Sequence, residues 1–370
     1  MAKADKRREL HEKERRINNC IESGHYDAII IGRQDNFAWL TSGGRNFILS
    51  ASDVGAAMVV FTKSNKYVVA NTMDGKRIID EELADSDYEL INLKWHEKTI
   101  EETICDLVKG CNAVSDVYIA GIQYDPSAVY RLHFPLMKEE VERYRTHAAM
   151  AESILRKVAD ELKPGMSEKD AEALLNIEYA KHGFVNSVIL VGADARIEKY
   201  RHPVPTDSKI QRMLLLAPAP RKDGLYMPIS RMICFDDHLP SELREKYDTL
   251  LRFEANVFSR CVAGTRFVDI MEFEKKLYQA SSYPDEWQGH FMGGITGYYP
   301  NDPVQYRNPE AKVKTMQTFN WYLTVTGAKV EEILLTNESG NELLSVKGAW
   351  PLRKMEACGE EYMLPDILMK

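Results

Sequence analysis

Apolar and polar positions along the chain follow two regimes, and the change falls near residue 137. In the first, short apolar runs alternate with stretches of helical period. A polar amphipathic helix is expected over residues 6–23, and the compact apolar run Tyr26–Ile31, closed by Gly32, predicts a buried strand. Ala56–Phe61, Tyr67–Ala70, Tyr88–Leu93 and Val117–Ala120 predict further strands, with helical patterns near 73–84 and 98–109 between them. Strands alternating with helices imply an α/β layer domain over residues 1–122, followed by a linker over 123–136.

The second regime, residues 137–370, opens with the most sustained helical period in the chain, Glu139 to Leu162, which stops at Lys163-Pro164-Gly165. Ser167 starts another helix, and Asp170 stands at the spacing of a capping box. The phrase LKPGMSEKDAEALL returns in altered form as CVAGTRFVDIMEFEKKL, aligning Gly165 with Gly264 and bringing Asp170 near Asp269. This is a weak internal repeat, and two related halves facing each other leave a cleft between them. Apolar strands are expected at Val185–Val191, Met213–Pro218 and Tyr226–Phe235 in one half. In the other they are expected at Thr318–Thr326, Val330–Leu335 and Glu342–Ser345, with Thr336–Gly340 as a tight turn.

Composition adds exclusions. The chain has 370 residues, 44% hydrophobic and 28% charged, enough for two domains with separate cores. A formal net charge of −8 speaks against nucleic acid and anionic lipid as partners. The basic run Lys3 to Arg16 is interleaved with Glu9, Glu12 and Glu14, as in a solvated, salt-bridged helix start. The six cysteines lack paired metal spacing and no apolar leader is seen, so a cytoplasmic location is expected. No apolar run approaches the roughly 20 residues a bilayer requires. Dinucleotide, phosphate-loop, zincin and nucleophile-elbow motifs are missing, so an active site must be assembled from dispersed residues.

Three phrases carry a family likeness. Gly289-His290-Phe291-Met292-Gly293-Gly294 with Gly297-Tyr298, the ending TVTGAKVEEILLTNESGNELLS, and Asp35-Asn36-Phe37-Ala38-Trp39-Leu40-Thr41 together resemble the creatinase/aminopeptidase P family over nearly the whole chain. The resemblance implies an α/β N-terminal creatinase-type domain plus an α+β pita-bread C-terminal domain, assembled as a homodimer. Metallopeptidases of that fold hold two divalent ions with two aspartates, a histidine and two glutamates, because hard cations need several anionic oxygens. Carried onto this sequence, those positions fall at Ala217, Pro228, His290, Glu331 and, close to Asn320, Tyr322. One imidazole and one carboxylate are too few, so neither a dinuclear centre nor any other cofactor is expected. Asp223 and Glu332 stand nearby in sequence as alternative ligands.

Creatinase is the member of that family in which hydrolysis survives without metal, through a histidine in a phrase similar to Tyr200-Arg201-His202-Pro203-Val204-Pro205-Thr206. The resemblance therefore implies His202 as proton shuttle, Glu331 as holder of a cationic substrate or the water, and His290 as a second donor to developing negative charge. Arg33 and Arg201 are candidate carboxylate clamps, Arg33 across the dimer. Tyr298 and Tyr322 are candidates to point hydroxyls into the cleft, and Trp287, with Trp39 and Trp321, to line it. Plainer readings stand beside these: a loop histidine before proline, a Lys329–Glu331 same-face pair on an exposed strand edge, surface salt bridges, and tryptophans that pack a core. The expected function is metal-independent hydrolysis of a C–N bond in a small-molecule or dipeptide substrate. The alternatives are an Xaa-Pro-type metallopeptidase with unorthodox ligands and a catalytically silent binding protein.

Overall fold

In a computed structural model, which describes every residue except 1–2, 24–25, 85, 302–307 and 309, the chain divides into two units. One comprises the residues through Glu140 together with Asp223–Leu225; the other comprises Val141–Lys222 and Tyr226–Lys370.

The N-terminal unit is built on strands β1 (Ala28–Arg33), β2 (Val54–Thr62), β3 (Lys66–Asn71), β4 (Glu89–Leu93), β5 (Ala113–Ser115) and β6 (Gln123–Tyr124), in sheet order β4-β3-β2-β1-β5-β6. β1 is central, and every residue in it but Arg33 is buried, as a strand covered on both faces requires. Helices α1 (Lys3–Glu22), α2 (Gln34–Leu40), α3 (Gly75–Arg77), α4 (Ile100–Leu107) and α5 (Ser127–Tyr130) complete it. Ile104 from α4 packs with Ile30, Val60 and Val69 of the sheet. α1 is less solvated than its charge suggests: Lys13 is buried against Glu9 at 3.0 Å and Glu140 at 2.9 Å.

Two expectations are corrected here. The strand read at Val117–Ala120 lies earlier, at β5; Val117 and Ile119 are buried in the core without pairing. The chain turns at Asp116, whose carboxylate accepts from the Gly32 and Arg33 N–H groups and from Asn36 Nδ2. The stretch read as linker is structured: β6 pairs with β5, and Tyr130 and His133 are buried, His133 stacking on Trp39.

The C-terminal unit contains the internal repeat in atomic form. Helices α6 (Lys138–Glu161) and α7 (Glu168–Lys181) in one half correspond to α9 (Ser241–Arg260) and α10 (Phe267–Gln279) in the other, with α8 (Ala195–Lys199) between. The corners joining each pair match: Gly165 and Gly264 have φ of 92° and 94°. Gly165 N–H donates to Ile210 at 2.8 Å and Gly264 N–H to Val313 at 2.9 Å. Ser167 caps α7 in a reciprocal box with Asp170, whereas at the equivalent corner Arg266 forms an ion pair with Asp269.

The strands are β7 (Val185–Ala193), β8 (Met213–Lys222), β9 (Leu225–Tyr226), β10 (Arg231–Cys234), β11 (Gly293–Thr296), β12 (Gln317–Val325), β13 (Ala328–Asn337), β14 (Gly340–Leu343), β15 (Leu352–Ala357), β16 (Glu360–Pro365) and β17 (Leu368–Met369). They form the sheets β17-β10-β8-β7, with β9 on β8, and β11-β12-β13-β14, plus the hairpin β15-β16. The bridge Ser230↔Glu331 joins the approach to β10 with β13. Tyr226–Phe235 is not one strand, because Pro228 has no N–H for a ladder and splits it into β9 and β10. Among the described residues no helix is long and apolar enough to cross a membrane.

A Cβ added at Gly165 or Gly264 meets nothing within 4 Å, so only backbone strain opposes it. Gly165→Ala and Gly264→Ala are each expected to lower stability by about 1–2 kcal/mol, and by nearly equal amounts, in urea unfolding. A clear inequality between the two argues against equivalent corners.

Candidate functional site

Three segments of the C-terminal unit bring polar side chains together. The first is the loop between α8 and β8, which carries His202. Its ends are fixed by Glu168, fully buried on the first turn of α7, whose carboxylate accepts from Ala193 N–H, Arg196 Nε, Thr206 N–H and the Thr206 hydroxyl. Asp194, at φ 50°, accepts from the N–H groups of Gln211, Arg212 and Met213 and closes the loop base. A loop so tied presents His202 at a defined place although its ring is exposed.

The second segment is the turn Glu286–Gly289 that leads into His290. Gly293, two residues before β11 reaches Ile295, has φ 116°, and a Cβ there would stand 2.5 Å from the Asn320 carbonyl oxygen. Only glycine lets the His290 segment approach β12 this closely. Arg201 crosses from the first loop to this turn, pairing with Glu286 and donating to Thr326 Oγ1 at 3.2 Å. Glu286 in turn accepts from the Thr326 N–H at 3.0 Å and its hydroxyl at 2.8 Å.

The third is the ladder β12–β13, in which Tyr322 faces Glu331. Glu331 is buried and accepts from the Ser230 hydroxyl and from Lys329 Nζ, the latter at 2.9 Å. Burial pushes its carboxyl upward, but Lys329 and Ser230 outweigh burial and hold it below the ordinary range. The pair is no exposed strand edge: both side chains are less than a tenth exposed.

The two imidazoles meet directly, His290 Nε2 lying 3.0 Å from His202 Nε2. His290 Nδ1 is 2.7 Å from the Phe291 carbonyl oxygen, which can only accept. The hydrogen therefore sits on His290 Nδ1, its Nε2 accepts from His202 Nε2–H, and the lone pair of His202 is left on Nδ1. His290 is thus not the free donor expected from sequence, since its one N–H is committed to the backbone. Burial, then the Lys329 charge, lowers His290 to about 4. The same two causes, in the same order, lower His202, against an opposing pull from Glu331.

Of the other residues singled out in the sequence, Tyr322 joins the group, its ring edge-on to His290 at 5.0 Å and its hydroxyl accepting from Asn301 at 2.7 Å. Arg201 is consumed by Glu286 and Thr326 and holds loops together; it does not stand free as a clamp. Tyr298 is buried and accepts from Arg143 at 2.9 Å. Trp287 lies under the Lys275 ammonium at 4.8 Å. Arg33 belongs to the N-terminal unit, where Asp35, Asp53 and the Tyr130 ring surround it. Trp39 and Trp321 are core residues. Sequence reading missed Glu168, Asp194, Glu286, Thr326 and Ser230, all of which act by position. Lys329 was visible only as a neighbour of Glu331.

A divalent ion does not fit these donors. Ala217 and Pro228 offer no side-chain oxygen, and Glu332 projects to the opposite face of β13, buried with Arg231 and Ser345. Asp223 lies in the turn after β8 with φ 47°. No group of three or more His, Cys, Asp or Glu disposed to hold a metal exists among the described residues. Lys329 adds repulsion: an ammonium about 4 Å from a dication costs on the order of 8 kcal/mol at an effective dielectric near 20.

Comparison with known proteins places this geometry in context. The family model described as "Metallopeptidase family M24" matches residues 142–337. No curated protein matches the chain. Among solved structures, an Xaa-Pro dipeptidase from Bacillus anthracis is similar with a TM-score of 0.77 at 15% identity, covering 98% of this chain and 100% of its own. A prolidase from Pyrococcus horikoshii OT3 gives 0.75 at 14%, covering 90% and 98%. The N-terminal domain of FACT complex subunit SPT16 from Cicer arietinum gives 0.68 at 13%, covering 92% and 97%. At such identities the likeness is one of fold.

Because His290 binds its proton more weakly folded than at its ordinary value of 6.5, the unfolded chain takes up more protons between about 6.5 and about 4. Its contribution to stability is therefore intact above that window and lost as pH falls through it. An NMR titration is expected to find His290 neutral at pH 5.5, whereas a midpoint near 6.5 contradicts the buried, lysine-flanked placement.

Proposed function

The chain belongs to metallopeptidase family M24, and from that premise we propose that it hydrolyses a C–N bond in a small amino-acid derivative without a metal ion, with His202 moving the proton. The observation that carries this reading is the direct His202–His290 hydrogen bond, which leaves His202 Nδ1 as a base with no partner among the described residues. Water bound at Nδ1 gives up a proton to the imidazole as its oxygen attacks the electrophilic carbon. The imidazolium then returns that proton to the leaving nitrogen as the C–N bond breaks, so the enzyme ends unchanged. His290 fixes the tautomer and orientation of His202, a positioning task. Glu331, kept ionised, is suited to steady the imidazolium or a cationic substrate. Tyr322 borders the same space.

The partner is a small molecule or a dipeptide, as the dipeptidase and prolidase names of the fold relatives suggest. The free cysteines support a cytoplasmic protein, and the family resemblance supports a homodimer. Arg33 remains a candidate to act across such a dimer.

A second reading, ligand binding without turnover, is favoured by one feature: the site's carboxylate and its guanidinium are already neutralised by Lys329 and Glu286. Guanidino acids, ureido acids and prolyl dipeptides, screened by thermal shift and then for turnover, separate the readings. His202→Ala is expected to cut turnover by about 10²–10⁴ with the fold intact. Ligand affinity without wild-type turnover, unchanged in His202→Ala, establishes binding and removes the hydrolase.

A further inference from the structure

Side chains alternate along a strand, so Lys329 and Glu331 share one face of β13 while Glu332 takes the other. Lys329 Nζ sits 2.9 Å from Glu331 Oε2, both side chains being under a tenth exposed. On a second side the ammonium lies 5.6 Å from the centroid of the Tyr322 ring. A charge this withdrawn from water is tolerated only where an anion and an electron-rich face replace its hydration. Among the described residues Glu331 is the carboxylate within ion-pair distance of it.

The remaining donors are equally committed. Glu331 also accepts from Ser230, and His290 Nε2 accepts from His202 while its Nδ1–H is held by Phe291. An incoming cation would have to displace the lysine from the carboxylate and the shared hydrogen from between the imidazoles.

We propose that Lys329 is a tethered cation occupying the charge-compensating place beside Glu331, so that the lysine and a divalent ion exclude one another at the His202–His290–Glu331 group. The proposal rests on the metal-independent reading above and adds a second cause to the shortage of donors. Unlike an ion, this group is covalently tethered, and chelators do not remove it.

Zn²⁺ titration by calorimetry of the full chain, dialysed first against chelator, tests this. Wild type and Lys329→Arg are expected to take up no zinc that His290→Ala abolishes. Lys329→Met is expected to bind Zn²⁺ at least about 100-fold more tightly than wild type, about a third of the ammonium–dication repulsion removed, and to lose that gain when His290→Ala is added. Circular dichroism monitors the fold, with Lys329→Gln as the milder variant. If both variants fold only when Zn²⁺ is present, the exchange of lysine for metal is supported; failure with and without zinc, or a folded variant that gains none, overturns it. Wild-type zinc uptake dependent on His290 overturns it as well. Turnover does not enter these readouts, so an inactive wild type that excludes zinc sinks the hydrolase reading and leaves this one standing.

Discussion

Burying a carboxylate without a partner costs several kcal/mol, and that penalty is the constraint around which the C-terminal unit is organised. Glu331 lies inside the buried β12–β13 ladder, opposite Tyr322, and Lys329 and Ser230 make its burial tolerable. Burial first, and the Lys329 charge second, lower both neighbouring imidazoles and favour their neutral form. The ion pair thereby acts both on the local packing and, with burial, on the imidazoles beside it.

Around that pair the positioning is done by carboxylates that touch no reacting atom. Glu168 and Asp194 tie the two ends of the His202 loop to α7 and to β8. Glu286 ties the same loop, through Arg201, to the turn before His290 and to Thr326 at the β12–β13 turn. Loops held by charge-assisted hydrogen bonds lose little further entropy on binding a ligand, so His202 can be exposed and still well placed beside the half-buried His290.

Much of the fold was legible because it follows from periodicity and termini. The α6 span, the Ser167–Asp170 cap, the glycine corners and the β12–β13 hairpin all follow from patterns spanning a few residues. Val117–Ala120 misled because apolarity reports burial, and burial occurs without pairing. At the site, His202, His290, Glu331 and Tyr322 could be nominated through a family likeness, and the structure brings them together. The hydrogen-bond direction between the imidazoles could not be read, since it depends on one backbone carbonyl at Phe291. Nor could the fate of Arg201, because Glu286 and Thr326 are distant in sequence and carry no motif of their own.

Adjacent glutamates on β13 serve opposite masters: Glu331 faces the imidazoles, while Glu332 is sealed in with Arg231. A slip of this strand by one residue that put Glu332 in the place of Glu331 would bring Ile333 to the place of Glu332, taking from the Arg231 guanidinium the carboxylate it pairs with. Such a slip is therefore penalised on both faces of the strand, in the interior where Arg231 loses its partner and at the place of Glu331, so the ladder proofreads its own assembly.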